Sequence, residues 1–127
     1  GAFADLIDAV EGVQRQLAGS MRAGRDYREL HVEAHRLLAG VLRQAGIVRL
    51  DEEAQLAAGI TSTFFPHGLG HYLGIQVHDV AGFQKDEGGG MIPKPPGHPY
   101  LRLTRVLEPG NVVTVEPGIY FIPMLLE

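Results

Sequence analysis

The sequence of 127 residues contains no cysteine, which excludes disulfide bonds, thiolate zinc sites and cysteine nucleophiles together. It also has no excess of basic residues: 15 Asp and Glu outnumber 11 Lys and Arg, and the net charge of −4 argues against a nucleic-acid partner. Neither a long apolar run nor a basic leader is present, so we expect no membrane partner and no secretory signal. These absences predict a soluble, cytoplasmic protein.

What remains is the composition of one folded domain. Hydrophobic residues make up 45% of the chain and charged residues 20%, which is typical of neither a disordered tail nor a fibre. The chain has 17 Gly and 8 Pro, and most of them follow residue 59. We therefore expect a helical first part and a second part built of loops and strands.

Apolar residues recur at intervals of three and four in the first part. This period predicts long helices over about 3–18 and 27–45, and we expect a shorter helix over 51–58. Gly19 is expected to cap the first helix, Gly46 to close the second and Gly59 to end the third.

The second predicted helix carries a capping signal and a pair of histidines. Asp26 and Glu29 have the spacing of a capping box, in which both side chains cover free amides. His31 and His35 lie four apart, a spacing that can clamp one metal ion, but HVEAH differs from the HExxH of zinc proteases because Glu33 is displaced by one position. We expect partly exposed imidazoles on the flank of a helix.

The second part alternates loops with short strands. Strands are predicted over 74–80, 112–116 and 119–122, because β-branched and aromatic residues alternate or cluster there. Three consecutive glycines and four prolines predict a loop over 84–99, and Glu-Pro-Gly-Asn predicts a turn over 108–111.

Three histidines lie in the Gly-rich turn and the strand that follows it. His67 and His71 belong to HGLGH, and His78 lies in the predicted strand. Glycines let the backbone approach a ligand closely, and neutral imidazole is a common ligand of transition metals. The alternative is an ordinary turn that holds solvated histidines.

A carboxylate ends the predicted strand over 112–116. Glu116 would lie beside apolar neighbours, where a buried carboxylate needs a partner such as a divalent cation. Pairing with Arg102 or Arg105 is the alternative, and the residues alone leave both open.

Two long segments carry a resemblance to a known family. FFPHGLGHYLGIQVHDVAGF (64–83) and LRLTRVLEPGNVVTVEPGIYFI (101–122) closely resemble the Xaa-Pro dipeptidases, and most of all their bacterial branch. These prolidases belong to the creatinase, aminopeptidase P and methionine aminopeptidase superfamily with the pita-bread fold. The resemblance implies an α+β fold in which two long helices precede antiparallel strands. It also implies that residues 1–127 are a truncated part of a metallopeptidase catalytic domain.

The resemblance also implies roles for individual residues. His71 and Glu116 would be ligands of a dinuclear centre, while His67 and His78 would line it and act in catalysis. Arg102 would bind the terminal carboxylate of the substrate. Two divalent ions are implied, with manganese favoured over cobalt or zinc. The family's other ligands, two aspartates upstream and a glutamate downstream, are not in this sequence.

The activity implied is metal-dependent hydrolysis of dipeptides ending in proline, in a full-length parent that is a homodimer. The isolated chain is expected to be inactive, because it holds too few metal ligands. Three alternatives stay open: an aminopeptidase P-like enzyme, an organophosphate hydrolase of the same branch, and a non-catalytic binding module of the same fold.

Overall fold

The computed structural model describes residues 1–73, 80–84 and 90–121, and helices dominate its first part. Four α-helices and one 3-10 helix follow one another: α1 Ala2–Ser20, α2 Tyr27–Gln44, α3 Glu52–Ala57, α4 Ile60–Phe64 and the 3-10 helix Val80–Phe83. The two long helices and α3 are confirmed close to their predicted bounds, whereas α4 was not predicted. Within the described ranges, no helix is long and apolar enough to cross a bilayer.

The ends of α1 and α2 differ in part from the predictions. The cap at Gly19 is wrong: α1 runs through Gly19, and Met21 ends it in an extended conformation while donating its N–H to the Ala18 carbonyl. Asp26 caps α2 by accepting from the Arg28 N–H at 2.9 Å. Among the described contacts, the Glu29 side chain does not bond back to Asp26, so only the Asp26 half of the predicted capping box is present.

Left-handed glycines end the next helices, as predicted. Gly46 follows α2 with φ of 75°, and Gly59 separates α3 from α4 with φ of 71°. Asp51 caps α3 by accepting from the Ala54 N–H at 2.9 Å. This conformation carries no steric penalty for glycine, so both breaks fall where the sequence favours them.

α2 is the central element of the core. It packs against α1, α3 and α4, and one face of it is buried along its whole length. The C-terminal half of α1 completes this face with Val13 and Leu17, while Phe3 and Ile7 near its start are exposed. The second part of the chain contributes several buried side chains to the same cluster: Phe65, Leu69, Tyr72, Leu101, Leu103 and Leu107.

Extended segments of the second part pair in an antiparallel sense. Leu73 donates to the Val112 carbonyl, and further bonds join 69–73 to 112–116. Within the described ranges this pairing amounts to isolated bridges, so the predicted strands over 112–116 and 119–122 stay predictions. The predicted strand over 74–80 lies outside the described residues, except for Val80, which begins the 3-10 helix.

The predicted turn over 108–111 is confirmed. The Asn111 N–H donates to the Glu108 carbonyl at 3.2 Å, and Gly110 adopts φ of 86°. This turn sends the chain back along 69–73, and so brings the two halves of the candidate site together.

Candidate metal centre

Backbone pairing brings the HGLGH segment against the segment that carries Glu116. The Thr114 N–H donates to the His71 carbonyl at 2.9 Å, and the Glu116 N–H donates to the Leu69 carbonyl at 2.6 Å. Thr114 also links the two candidate ligands, because its hydroxyl accepts from the His71 N–H at 3.0 Å and donates to a Glu116 carboxylate oxygen at 2.9 Å. The two functional side chains therefore share one side of this pairing.

The close approach of these segments depends on Gly70. A Cβ at this position would overlap the Thr114 carbonyl and the Tyr27 hydroxyl. That hydroxyl donates to the same Thr114 carbonyl at 2.6 Å, and burial, followed by the charge of Glu116, raises the pKa of Tyr27. Tyr27 therefore stays a protonated donor, and its hydrogen bond to the Thr114 carbonyl connects α2 to the site.

The His71 and Glu116 side chains meet at 3.2 Å between Nε2 and Oε2. His71 Nδ1 lies 2.9 Å from the Tyr72 carbonyl, which can only accept, so the ring carries a proton on Nδ1. This leaves Nε2, which lies 3.2 Å from a carboxylate oxygen, as the ring atom that can carry a further proton or bind a cation. Two acceptors this close need a positive charge between them, from either a proton or a cation, and a backbone-anchored Nδ1 is typical of metal-binding histidines. This donor pair fits a divalent ion.

Burial at the site differs from the expectation for the carboxylate. The His71 side chain is buried, but the Glu116 side chain is 54% exposed, so the predicted buried carboxylate is wrong. The reason is that Glu116 lies at the open end of the pairing, where Pro117 follows it and, among the described residues, Thr114 and His71 contact its oxygens.

Four of the five predicted site residues line one cavity of about 180 Å³: His67, His71, Arg102 and Glu116. His67 donates from Nδ1 to the Gly68 carbonyl at 2.7 Å and accepts at Nε2 from the Tyr120 hydroxyl, 3.0 Å away. His78 lies outside the described residues.

Arg102 lines this cavity. It is exposed, and none of the described residues forms an ion pair with it. Arg105 pairs instead with Glu108 at 3.8 Å, so the alternative partners proposed for Glu116 are both wrong. Arg102 also lines a second cavity of about 440 Å³, which it shares with His67 and Tyr100. A cationic guanidinium beside two cavities is suited to bind an anionic group.

The histidines of α2 are not on an exposed flank. His31 and His35 are each 1% exposed, so the expectation of partly exposed imidazoles is wrong. The 3.6-residue period places them on the same face as Leu30, Ala34 and Leu38, which faces the core. They contact His98, whose ring centroid lies 4.6 Å from each of theirs. The sequence offered no signal for His98, which sits in the Pro-rich loop.

Hydrogen bonds define the protonation of these rings. The Leu69 N–H donates to His31 Nδ1 at 3.2 Å, so His31 carries its proton on Nε2, which lies 3.0 Å from His98 Nδ1. Burial lowers the pKa of His31 to about 2 and that of His35 to about 3, with smaller contributions from neighbouring histidines. Burial also lowers the pKa of His98. All three rings are neutral at physiological pH.

The site thus combines a nitrogen and a carboxylate oxygen at contact distance with a second imidazole and a guanidinium in one cavity, a set of side chains suited to a metal centre. Comparison with known proteins agrees with a metal centre: the chain belongs to metallopeptidase family M24, whose sequence profile matches residues 1–125. The family supports the M24 fold for this chain and implies divalent metal ions.

Named relatives are similar over nearly the whole chain. The Xaa-Pro dipeptidase of Xanthomonas axonopodis pv. citri (strain 306) is 59% identical over 125 residues, and that of Stenotrophomonas maltophilia (strain K279a) is 56% identical over 124 residues. Each alignment covers 98% of this chain and 28% of the relative. The chain thus spans less than a third of the length of these relatives.

Solved structures of aminopeptidase P share the fold. The zinc-substituted Escherichia coli enzyme in complex with product has a TM-score of 0.75 at 32% identity, covering 97% of this chain and 24% of that one. Pseudomonas aeruginosa aminopeptidase PepP has a TM-score of 0.70 at 31% identity, covering 91% and 23%. The chain thus matches about a quarter of the length of each of these enzymes.

Proposed function

We propose that the full-length protein containing this chain is a cytoplasmic, homodimeric dipeptidase that cleaves dipeptides ending in proline. The observation that carries this proposal is the cavity where His71 and Glu116 meet beside Arg102. The Xaa-Pro dipeptidases at 56–59% identity support the substrate class. The complete domain would have the pita-bread fold.

His71 and Glu116 would supply two ligands of a dinuclear centre, for which we propose manganese. Two ligands are too few for a pair of hard divalent ions, so carboxylates from elsewhere in the full-length protein would complete the coordination. Bound ions would lower the pKa of water and polarise the peptide carbonyl. The chain's own residues hold this geometry: the Tyr72 carbonyl orients the His71 ring, and the Thr114 hydroxyl orients the Glu116 carboxylate.

Arg102 would select the length of the substrate. A guanidinium binds a carboxylate through two parallel hydrogen bonds, and among the described residues no carboxylate competes for it. A dipeptide held between Arg102 and the metal ligands would place its single peptide bond at the centre. A longer peptide has no carboxylate at that distance.

His67 and His78 would contact the substrate. In this structure the Tyr120 hydroxyl occupies His67 Nε2, so a substrate group would have to displace Tyr120 to reach that nitrogen. Hydrogen bonds to charge that develops in the transition state are a large part of catalysis in hydrolases, and we assign His78 to that role.

The test is hydrolysis of an Xaa-Pro dipeptide by the purified full-length protein with manganese, with and without a chelator. We expect activity that the chelator abolishes, and loss of both activity and one metal equivalent in His71→Ala. His78→Ala should keep its metal and lose about a hundredfold in turnover. Full activity in the chelated protein would refute the proposal.

A second candidate is an aminopeptidase that removes the first residue of longer peptides with proline in the second position. The aminopeptidase P structures at about 31–32% identity favour it. Assays of a dipeptide and of the same sequence extended by three residues separate the two candidates. Preference for the longer peptide would replace the dipeptidase assignment.

A further inference from the structure

The densest group of metal-binding side chains among the described residues is not the His71 and Glu116 pair. It consists of His31, His35 and His98, whose ligand nitrogens all lie within 4.8 Å of one another. We propose that these three imidazoles form a separate site for a single borderline transition-metal ion, with Zn²⁺ as the natural occupant.

The distances are close to those of a bound site. Nitrogens that share one tetrahedral zinc ion lie about 3.3 Å apart, given bonds of about 2.0–2.1 Å. His31 Nε2 and His98 Nδ1 are already 3.0 Å apart, and the His35 ring contacts His31 edge to face and His98 at a tilt, with centroids 4.7 Å and 4.6 Å away. His98 is half-buried in a loop, so its ring can adjust toward the two rings that α2 holds in place.

The surroundings favour a metal with an open coordination position. Neutral imidazole is the ligand form, and burial keeps these rings neutral well below physiological pH. The rings line a cavity of about 490 Å³ together with Phe65 and Tyr100. Three protein ligands and an accessible fourth position are typical of zinc sites that bind water or a small ligand. The all-nitrogen donor set disfavours the hard ions Mn²⁺ and Mg²⁺.

Binding has an identifiable cost. His31 Nε2 now carries the proton that it shares with His98, and a metal there would shift that proton to Nδ1. The Leu69 N–H would then lose its acceptor, which lowers the affinity by about tenfold. Three zinc–imidazole bonds outweigh one long hydrogen bond, so the site should still fill at micromolar zinc.

The experiment uses the full-length protein in an H71A/E116Q background, which removes the candidate ligands of the hydrolytic centre. After equilibration with Zn²⁺ and gel filtration, zinc content is measured in this double variant and in a second protein that also carries H35Q and H98Q. We expect the loss of one zinc equivalent. His67→Gln is the matched control, because His67 lines the same cavity outside the cluster, and it should keep that equivalent. When loaded with cobalt, the H71A/E116Q protein should show the visible absorption of a tetrahedral nitrogen site, and the protein that also carries H35Q and H98Q should not.

Equal zinc content with and without the two cluster substitutions would overturn the proposal, provided that urea unfolding shows both proteins folded. Manganese displacing zinc from the site would also overturn it. Neither result depends on peptidase activity, so failure of the proposed dipeptidase function would leave this test intact.

Discussion

The buried histidine pair on α2 predicts that the metal-free protein loses stability in mild acid. An unfolded chain protonates histidine near pH 6.5, whereas the folded protein holds His31 and His35 neutral down to pKa values of about 2 and 3. Below pH 6.5 the unfolded state therefore binds more protons. The stability contributed by these neutral rings is complete above pH 6.5 and falls as the pH drops toward the folded pKa values.

The size of the effect follows from the two pKa values. At pH 4.5 each ring lies two pH units below 6.5, and at about 1.36 kcal/mol per unit each costs about 2.7 kcal/mol. The pair together would cost about 5 kcal/mol, which is comparable to the whole stability of many small domains. We expect acid unfolding to begin well above the pH at which ordinary carboxylates titrate.

The assay is urea unfolding with a chelator present, at pH 7 and at pH 4.5, for the wild type and for His35→Asn. Asparagine keeps a polar group near the Thr61 hydroxyl, which lies 2.9 Å from His35 Nδ1, but it does not titrate. The variant is expected to be less stable at pH 7 and to lose about 2.7 kcal/mol less than the wild type on acidification. An unchanged loss in the variant would refute the assignment of the acid sensitivity to this ring.

Three further predictions concern the paired segments and the substrate. Gly70→Ala should lower the free energy of unfolding by about 3 kcal/mol, because its Cβ overlaps the Thr114 carbonyl. The control is Gly12→Ala on the open face of α1, which should raise the free energy of unfolding by about 0.5–1 kcal/mol. Urea unfolding compares the two variants, and equal effects would contradict the packing argument. Tyr27→Phe should cost about 1 kcal/mol in the same assay through the lost hydroxyl bond, and no change would show that this bond adds nothing. In the proposed full-length dipeptidase, Arg102→Lys should weaken use of an Xaa-Pro dipeptide but not of its carboxyl-amidated analogue, and equal losses in kcat/KM would show a structural role.

The helical part of the fold was predictable because its signals are local. Apolar spacing located α1 and α2, and the left-handed glycines after α2 and α3 marked real ends. Gly19 failed as a cap because a glycine signals a helix end only where the chain turns left-handed, and here the chain leaves α1 through an extended Met21. α4 is a single short turn, too brief to show a period.

The candidate site was predictable in its residues but not in its contacts. Spacing alone left metal binding and an arginine pair equally open for Glu116, and family resemblance pointed to the metal. The contact with His71 depends on pairing between segments more than 40 residues apart, which Thr114 joins. His98 is 67 positions from His31, in a loop whose composition suggested nothing but irregular backbone. Long-range loop contacts of this kind leave no local pattern.

A single residue, Leu69, connects the histidines of α2 to the candidate metal centre. The Leu69 N–H donates to His31 on α2, and the Leu69 carbonyl accepts from the Glu116 N–H in the candidate centre. Protonation of His31 would remove that acceptor, and so would a metal ion that moved its proton to Nδ1. Either change would act on the backbone that positions His71 two residues later. The neutral state of a buried ring on α2 would therefore help to set the geometry of the candidate metal centre through Leu69.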